Sequence, residues 1–233
     1  RIQWAKRYIG WRLSHPFSPY EAYYEWIGQQ RAKTGKVRDF VLEPMHRKYD
    51  RRILDVLLSL GLTPQDRVLD YGCGGLRYGP PIIEYLDRGG YHGVDVTDVF
   101  YRPGWDAMDP ALIATKEPRG DVIDDTILAT IRAERPKFIF SWLVCCAVPL
   151  SRHGDYFGKL LPLMRDDGVL VMDFFERPRV KRLADMSWAK PRAMIENAIA
   201  RIDRSIDIEF KPMDSPQPTK FDWTMAILRR RSR

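Results

Sequence analysis

Two acids and the glycines between them are the residues whose types and spacing most readily do chemistry in this chain. Arg67-Val68-Leu69-Asp70-Tyr71-Gly72-Cys73-Gly74-Gly75 runs from apolar residues into a carboxylate and then breaks into glycines. Pro80 and Pro81 follow, ahead of an Ile82–Leu86 helical pattern. A buried strand turning sharply into a helix has this composition, and the amides lining such a turn are a ready site for a ligand. Glycine suits the turn because the backbone must take unusual dihedrals and let the ligand come close. A second short run, Tyr91-His92-Gly93-Val94, ends in Asp95, about two dozen residues after the first acid. That spacing sets a carboxylate at the neighbouring strand tip, where it can accept from ribose hydroxyls.

Val68-Leu69-Asp70-Tyr71-Gly72-Cys73-Gly74 resembles the first motif of the class I S-adenosylmethionine-dependent methyltransferases, hydrophobic-hydrophobic-Asp-x-Gly-x-Gly. The family's third glycine usually falls two places on, where this chain has Leu76 with Gly75 just before it. The nicotinamide pattern Gly-x-Gly-x-x-Gly would need a glycine at Arg77, and no Gly-Lys-Ser/Thr tail supports a P-loop. The resemblance implies S-adenosylmethionine as cofactor, held by Asp70, Gly72, Cys73 and Gly74, by Asp95 and Val96 at the second strand tip, by Asp121 and Val122, and by Trp142 after the fourth strand. In the family, a Gly-Asp dipeptide ends the third strand, and its acid or the next amide reads the adenine amino edge. Asp121 of Gly120-Asp121 is the matching candidate. The implied fold is α/β: a Rossmann-like, seven-stranded, mostly parallel sheet with a C-terminal antiparallel strand pair, plus an N-terminal helical cap.

The implied activity is methyl transfer to a small-molecule or glycan acceptor, with oxygen as the expected acceptor atom. In-line transfer asks the protein to align donor and acceptor and exclude water. An oxygen of high pKa also needs a base, whereas a carboxylate or phenolate may be its own nucleophile. His153 opens the helix after the fourth-strand loop and is one candidate base. His46 is the other, on the helix that in the family often lines the active site, with Tyr49 beside it as a substrate contact. Arg77 and Tyr78 are further substrate candidates, and Arg177, Arg179 and Arg182 could surround an anionic acceptor or form a solvated rim. The family often carries histidines about where Cys145 and Cys146 stand; these thiols are expected to be buried small hydrophobes. Only Asp155 supplies a carboxylate near that loop, so no metal is expected. Family members that modify nucleobase nitrogens often carry Asp/Asn-Pro-Pro-Tyr/Phe there, and Trp142-Leu143-Val144 is unlike it. A nucleic-acid acceptor is therefore not favoured. An RNA or protein methyltransferase, and a module that binds the cofactor without catalysis, remain the alternatives.

These residues need a scaffold. Residues 1–44 are expected to form an aromatic-rich helical cap or lid, and residues 45–233 the methyltransferase domain. Trp4, Tyr8 and Trp11 fall at helical spacing among Arg1, Lys6, Arg7 and Arg12, and Ser18 with Glu21 suggests a capping box for a second helix. Met45 to Leu60 reads as an amphipathic helix stopped by Gly61 and Pro64. Thr97 to Thr115, interrupted by Pro103, Gly104 and Pro110, is expected to be a broken helix. A strand near Gly120, a helix over Ile127 to Arg135 and the apolar run Phe138–Val144 follow, the last a central strand buried on both faces. Asp155 to Met164 is expected to be a helix, Val169–Phe175 a strand, Arg177 to Arg182 a basic loop and Pro191 to Arg204 the last helix. Ile206 to Phe210 and Phe221 to Leu228 alternate as two strands.

Composition bounds the reading. The 233 residues, 45% hydrophobic and 30% charged, suit one α/β domain with a modest extension. A net charge of +7 fits an acidic substrate, nucleic acid or a membrane surface, and the basic aromatic N-terminal segment could touch anionic lipid. Three cysteines, two of them adjacent, make no disulfide framework, so a reducing cytoplasm is the expected location. No apolar run is long enough to span a bilayer. The sequence opens on Arg1 rather than Met, which leaves room for a segment ahead of it.

Overall fold

The computed structural model describes residues 2–19, 21–33, 50–184, 187–214 and 222–231. The chain divides into two compact units, Tyr24–Phe140 with Leu163–Arg165, and Arg1–Tyr23 with Ser141–Pro162 and Asp166–Arg233. The boundary expected near residue 44 lies outside the described residues.

In the first unit, strands β1 (Val68–Tyr71), β2 (Tyr91–Asp95), β3 (Arg119–Val122) and β4 (Phe138–Ser141, its last residue in the second unit) lie parallel in the order β3-β2-β1-β4. β1, β2 and β4 are buried at every position, as continuous apolar runs in a parallel sheet must be. Their connections are helical: α4 (Gly79–Tyr85) between β1 and β2, and α7 (Asp125–Glu134) between β3 and β4. Ahead of them, α3 (Arg52–Ser59) buries Ile53, Leu54 and Leu57 on one face, and the chain leaves it through Gly61 at φ 91°. The part of the expected helix from Met45 to Tyr49 is outside the described residues.

The broken helix expected after β2 is two helices, α5 (Asp98–Asp106) and α6 (Pro110–Lys116). Thr97 caps the first through the Val99 amide, and Asp109 caps the second, with Pro110 in its first turn. β3 begins at Arg119, and Asp124, just past its end, caps α7 by accepting from the Ile127 amide at 2.7 Å. α5 lies close on the glycine loop, because Gly104 has no side chain: a Cβ there would stand 2.2 Å from the Gly75 carbonyl oxygen. One residue on, the Trp105 ring covers Gly120 of β3, where a Cβ would come within 2.9 Å of it. The second helix of the chain, α2 (Glu21–Lys33), presents Gly28 to Val99 and Phe100 of α5, both 3.4 Å from a Cβ built there.

The second unit is built on an antiparallel ladder. β5 (Val169–Glu176) pairs with β9 (Asp222–Arg230), and β9 with β8 (Ile206–Met213), which is the expected C-terminal antiparallel pair. Two short strands add to the seven expected. The stretch read as a basic loop begins a hairpin, β6 (Lys181–Ala184) and β7 (Ser187–Lys190), and β7 runs parallel to the end of β5 at Phe175 and Glu176. Alternation is too short in Lys181–Ala184 to announce a strand; the Arg182 guanidinium over the Trp188 ring, 5.6 Å from its centroid, links the two arms. Helix α8 (His153–Leu160) buries Tyr156, Phe157 and Leu160, and α9 (Arg192–Ala200) buries Ile195 and Ile199. At the N-terminus, α1 (Ile2–Ser14) sets Trp11 against Tyr23, ring centroids 5.2 Å apart. Among the described residues no helix is long and apolar enough to cross a membrane.

Because backbone, not a flexible side chain, meets the Cβ at position 104, Gly104→Ala should cost about 1–3 kcal/mol of stability. Thermal unfolding followed by circular dichroism should show a fall in Tm of several degrees.

Candidate cofactor-binding site

The turn after β1 is held by β2. The amides of Gly72 and Cys73 both donate to the Val94 carbonyl, at 2.7 and 3.0 Å, and Leu76 N–H closes the turn on the Cys73 carbonyl at 3.0 Å. Three residues take positive φ: Gly72 at 86°, Gly74 at 48° and Leu76 at 57°. Leu76 therefore keeps the left-handed backbone at the place where the family motif has its third glycine. A side chain in that region is strained, and burial of the leucine offsets the strain, since it is 1% exposed. Gly74 is different: nothing lies within 4 Å of the Cβ position, so the crest of the loop faces open space.

Asp95 ties the two strand tips together. Its Oδ2 accepts from the Gly74 amide at 2.8 Å and its Oδ1 from the Val96 amide at 2.7 Å. A carboxylate has about four acceptor sites, so each oxygen keeps room for one more donor. Two vicinal hydroxyls would fill that room, as a ribose could. Burial pushes the Asp95 carboxyl up to about 6, and the two amides restrain the rise.

Asp70 sits one strand away and is also buried. Its Oδ2 accepts from the Tyr91 hydroxyl at 2.7 Å. Burial raises this carboxyl to about 8; the Tyr91 hydrogen bond opposes the rise and the Asp95 charge adds to it. Between them lies Cys73, whose thiol is pushed well up by burial and by both carboxylates, so it is no thiolate nucleophile. The register pairs Asp70 with Gly93 and Asp95 with Val122, so Asp70, Tyr91, Gly93 and Asp95 share one face of the sheet. The result is a pair of buried acids beside a half-buried glycine crest with open space over Gly74. Such a place favours a ligand that brings hydroxyls and positive charge together.

Asp121 occupies the opposite face. It pairs with Val94, and its Oδ2 lies 2.8 Å from His92 Nε2. The residue level with Asp95 at the tip of β3 is Val122, 40% exposed. His92 is buried, and burial followed by the Arg119 charge lowers its pKa. Arg77 is engaged by an ion pair to Asp50 at 3.0 Å, with the Asp50 amide donating to the Arg77 carbonyl at 3.1 Å. Tyr78 is buried beneath that guanidinium, 5.4 Å from ring centroid to Cζ. His46 and Tyr49 lie outside the described residues.

The remaining candidates belong to the second unit. Trp142 is buried, its ring 5.9 Å from that of Trp223. After it the chain turns at Leu143, a non-glycine residue at φ 60° whose amide donates to Asp173 Oδ1 at 2.5 Å. Trp223 Nε1 donates to the other oxygen at 2.6 Å. Asp173 is fully buried, and burial raises its carboxyl to about 7 despite both donors. His153 is 3% exposed, not a solvated residue at a helix start, and its Nε2 accepts from Lys190 Nζ at 2.9 Å. Burial and then the Lys190 charge lower the imidazole pKa to about 4. A ring so placed has its acceptor nitrogen already committed and is a poor proton acceptor at neutral pH. Lys190 itself is fully buried and donates also to the Cys145 carbonyl at 2.7 Å. Cys145 and Cys146 are buried, with thiols raised by burial. Sequence reasoning missed Asp173 and Lys190. A lone acid inside Val169-Leu170-Val171-Met172-Asp173-Phe174-Phe175 was a usable signal; Lys190, beside Pro191 in a stretch with no clear period, offered none.

No family model matches the sequence and no curated protein matches it. Solved structures do. The magnesium protoporphyrin IX methyltransferase of Synechocystis PCC 6803, solved with bound SAH, superposes with a TM-score of 0.59 at 14% identity, over 77% of this chain and 81% of that one. A SAM-dependent methyltransferase from Leishmania major gives 0.59 at 15% identity, over 82% and 77%. The glycopeptide N-methyltransferase MtfA, complexed with S-adenosyl-L-homocysteine, gives 0.57 at 8%, over 79% and 90%.

Two variants probe the buried groups. The Asp70 carboxyl binds its proton more tightly in the folded chain than in the unfolded one, so its contribution to stability is present at acid pH and is lost as pH rises through about 8. Asp70→Asn should therefore melt a few degrees higher than wild type at about pH 8.5 and flatten the decline between about pH 4 and 8. Lys190→Met should bring the His153 pKa back up from about 4, visible in an NMR titration of the imidazole, while lowering Tm because the Cys145 carbonyl loses its donor. With the glycine turn, the acid at each strand tip and the superposed structures taken together, the chain has the fold of the class I S-adenosylmethionine-dependent methyltransferases.

Proposed function

We propose that this protein binds S-adenosylmethionine at the Asp70–Asp95 loop and transfers its methyl group to a small-molecule or glycan acceptor, at oxygen. The observation that carries the reading is the Asp95 carboxylate, buried, held by the Gly74 and Val96 amides, and still able to accept from two hydroxyls beside the open Gly74 crest. The residues fit the cofactor's chemistry. Asp95 would take the ribose hydroxyls, Gly72 to Gly74 would lie under the amino-acid portion, and Val96 and Val122 would flank the adenine. Asp70, one strand over, offers a carboxylate to the positive end of the molecule. Asp121, turned toward His92, would reach the adenine edge only by leaving that partner.

When bound, the sulfonium supplies an electrophilic methyl group. The chain's own residues have to orient it and keep water away, and the buried walls of β1 and β2 serve both ends. Proton removal sets the acceptor class. His153 is committed to Lys190 and His15 stacks on Trp11 with ring centroids 4.9 Å apart. Among the described residues, an acceptor oxygen that ionises by itself, such as a carboxyl or an acidic phenol, finds a better fit than an alcohol that must be deprotonated.

Isothermal calorimetry with S-adenosylmethionine and S-adenosylhomocysteine tests the site. Wild type should bind both; Asp95→Ala should weaken each by about a hundredfold, two charge-assisted hydrogen bonds being lost. Affinity should also fall several-fold for each pH unit below about 6, where Asp95 takes up its proton. No uptake of either compound at neutral pH would sink the reading. A labelled-methyl screen over metabolite, glycan and RNA pools then separates acceptors, and binding without any transfer would leave a cofactor-binding module.

A further inference from the structure

α1 has two apolar faces, and only one of them packs among the described residues. The inner face carries Tyr8 and Trp11: Trp11 is buried, Tyr8 meets the Tyr23 ring edge-on at 4.8 Å, and Trp11 meets it at 5.2 Å. Half a helical turn away stand Ile9 and Leu13, 55% and 78% exposed. In the turn that follows the helix stands Phe17, 98% exposed. A solvated helix face is ordinarily polar, so a large aliphatic pair with a bare phenyl ring in the next turn calls for a cover.

Phe17 is held out by structure. The Arg12 guanidinium reaches past the helix end to the Ser18 carbonyl at 2.6 Å and the His15 carbonyl at 3.4 Å. The His15 amide closes on the Trp11 carbonyl at 2.9 Å and the Ser18 amide on the His15 carbonyl at 3.3 Å. The turn that carries the ring is thus pinned at both ends.

Charge selects the cover. By the helical spacing of about 100° per residue, Arg12 falls roughly 80° to one side of the Ile9–Leu13 line and Arg7 roughly 140° to the other. The sequence holds 31 acidic residues, yet none precedes Glu21. Apolar side chains pointing outward, with arginines on the same helix and no acid among them, match an interface that is apolar inside and anionic at its rim. A bilayer bearing anionic headgroups is such an interface.

We infer that α1 and the turn after it dock this protein on an anionic membrane surface, with Ile9, Leu13 and Phe17 entering the headgroup boundary and Arg7 and Arg12 meeting the phosphates. The helix lies in the plane of the surface and does not cross it. Exposed residues alone make the contact, so their replacement leaves the core untouched.

Flotation of the full chain with vesicles tests this. One set is phosphatidylcholine alone, the other holds about one part in four of phosphatidylglycerol. Wild type should float with the anionic vesicles at least tenfold better than with the neutral ones, and should be released as salt rises from about 0.1 to 0.5 M. Leu13→Asp with Phe17→Asp should lose at least tenfold of that binding while keeping the wild-type Tm and S-adenosylhomocysteine affinity; Arg7→Glu should lose most of the salt-sensitive part. Binding to neither vesicle, or binding unchanged in the double variant, overturns the inference. So does a wild-type dimer in sedimentation velocity that the double variant dissolves, because a second copy would then be the cover.

Discussion

A carboxylate taken out of water must find donors or take up a proton, and Asp95 is placed so that the donors it finds are the backbone of the glycine loop. The Gly74 amide comes to it from the loop after β1, and the Val96 amide from its own strand end. Gly74 at φ 48° has no packing neighbour at its Cβ position, so its conformation rests on hydrogen bonds alone. The rest of the first unit serves the same joint: Gly72 and Cys73 fasten to Val94, one residue before Asp95, and Ile123 fastens to the Asp95 carbonyl at 2.8 Å. The first three strand tips of the order β3-β2-β1 are tied within one residue of this acid.

Close approach imposes the second constraint. Helix α5 comes down on the loop at Gly104 and on β3 at Gly120, and α4 begins at Gly79, where a Cβ would stand 2.8 Å from the Tyr91 hydroxyl. That hydroxyl is the donor to Asp70. Small residues on three elements therefore let large neighbours settle around the two acids, and burial of the acids is the consequence. Their raised pKa values follow from that burial first, with hydrogen bonds only moderating it. A site of this kind holds latent negative charge, and a cationic ligand that enters it would draw protons off the carboxyls as it binds.

Much of this was legible in the sequence because strand, turn and acid fall in one contiguous run. Asp70, Gly72, Gly74 and Asp95 could be placed from local pattern: apolar runs end where the sheet ends, and glycines mark where the backbone must turn left-handed. Leu76 shows the limit, since its positive φ has no local signal and depends on burial. Asp121 shows another. Gly120-Asp121 was recognisable as a strand-end dipeptide, but which face the acid takes depends on a register that begins at Arg119. Long-range pairs were out of reach: Lys190 with His153, and Asp173 with Trp223 and the Leu143 amide, join positions that nothing in the intervening sequence relates. The β6–β7 hairpin was invisible for the same reason, its arms being shorter than a readable alternation.

The turn after β4 carries a strain that the second unit maintains on purpose of geometry rather than of packing. Leu143 holds φ 60° while partly exposed, so no burial repays it as it does for Leu76. What holds it is its amide on Asp173, a residue otherwise satisfied by Trp223. The Cys145 carbonyl two residues on is held by Lys190, a fully buried cation. Burying a lysine and an aspartate is expensive unless each is bonded, and here each spends one bond on the backbone of one short turn and another on a side chain, His153 for Lys190 and Trp223 for Asp173. A hydrophobic pair would fill the same volume at lower cost, but it would leave residues 143–145 free to relax out of the left-handed conformation. The polar pair is therefore best understood as fixing the shape of this turn, which makes its backbone as determined as that of the glycine loop, by side chains instead of by glycine.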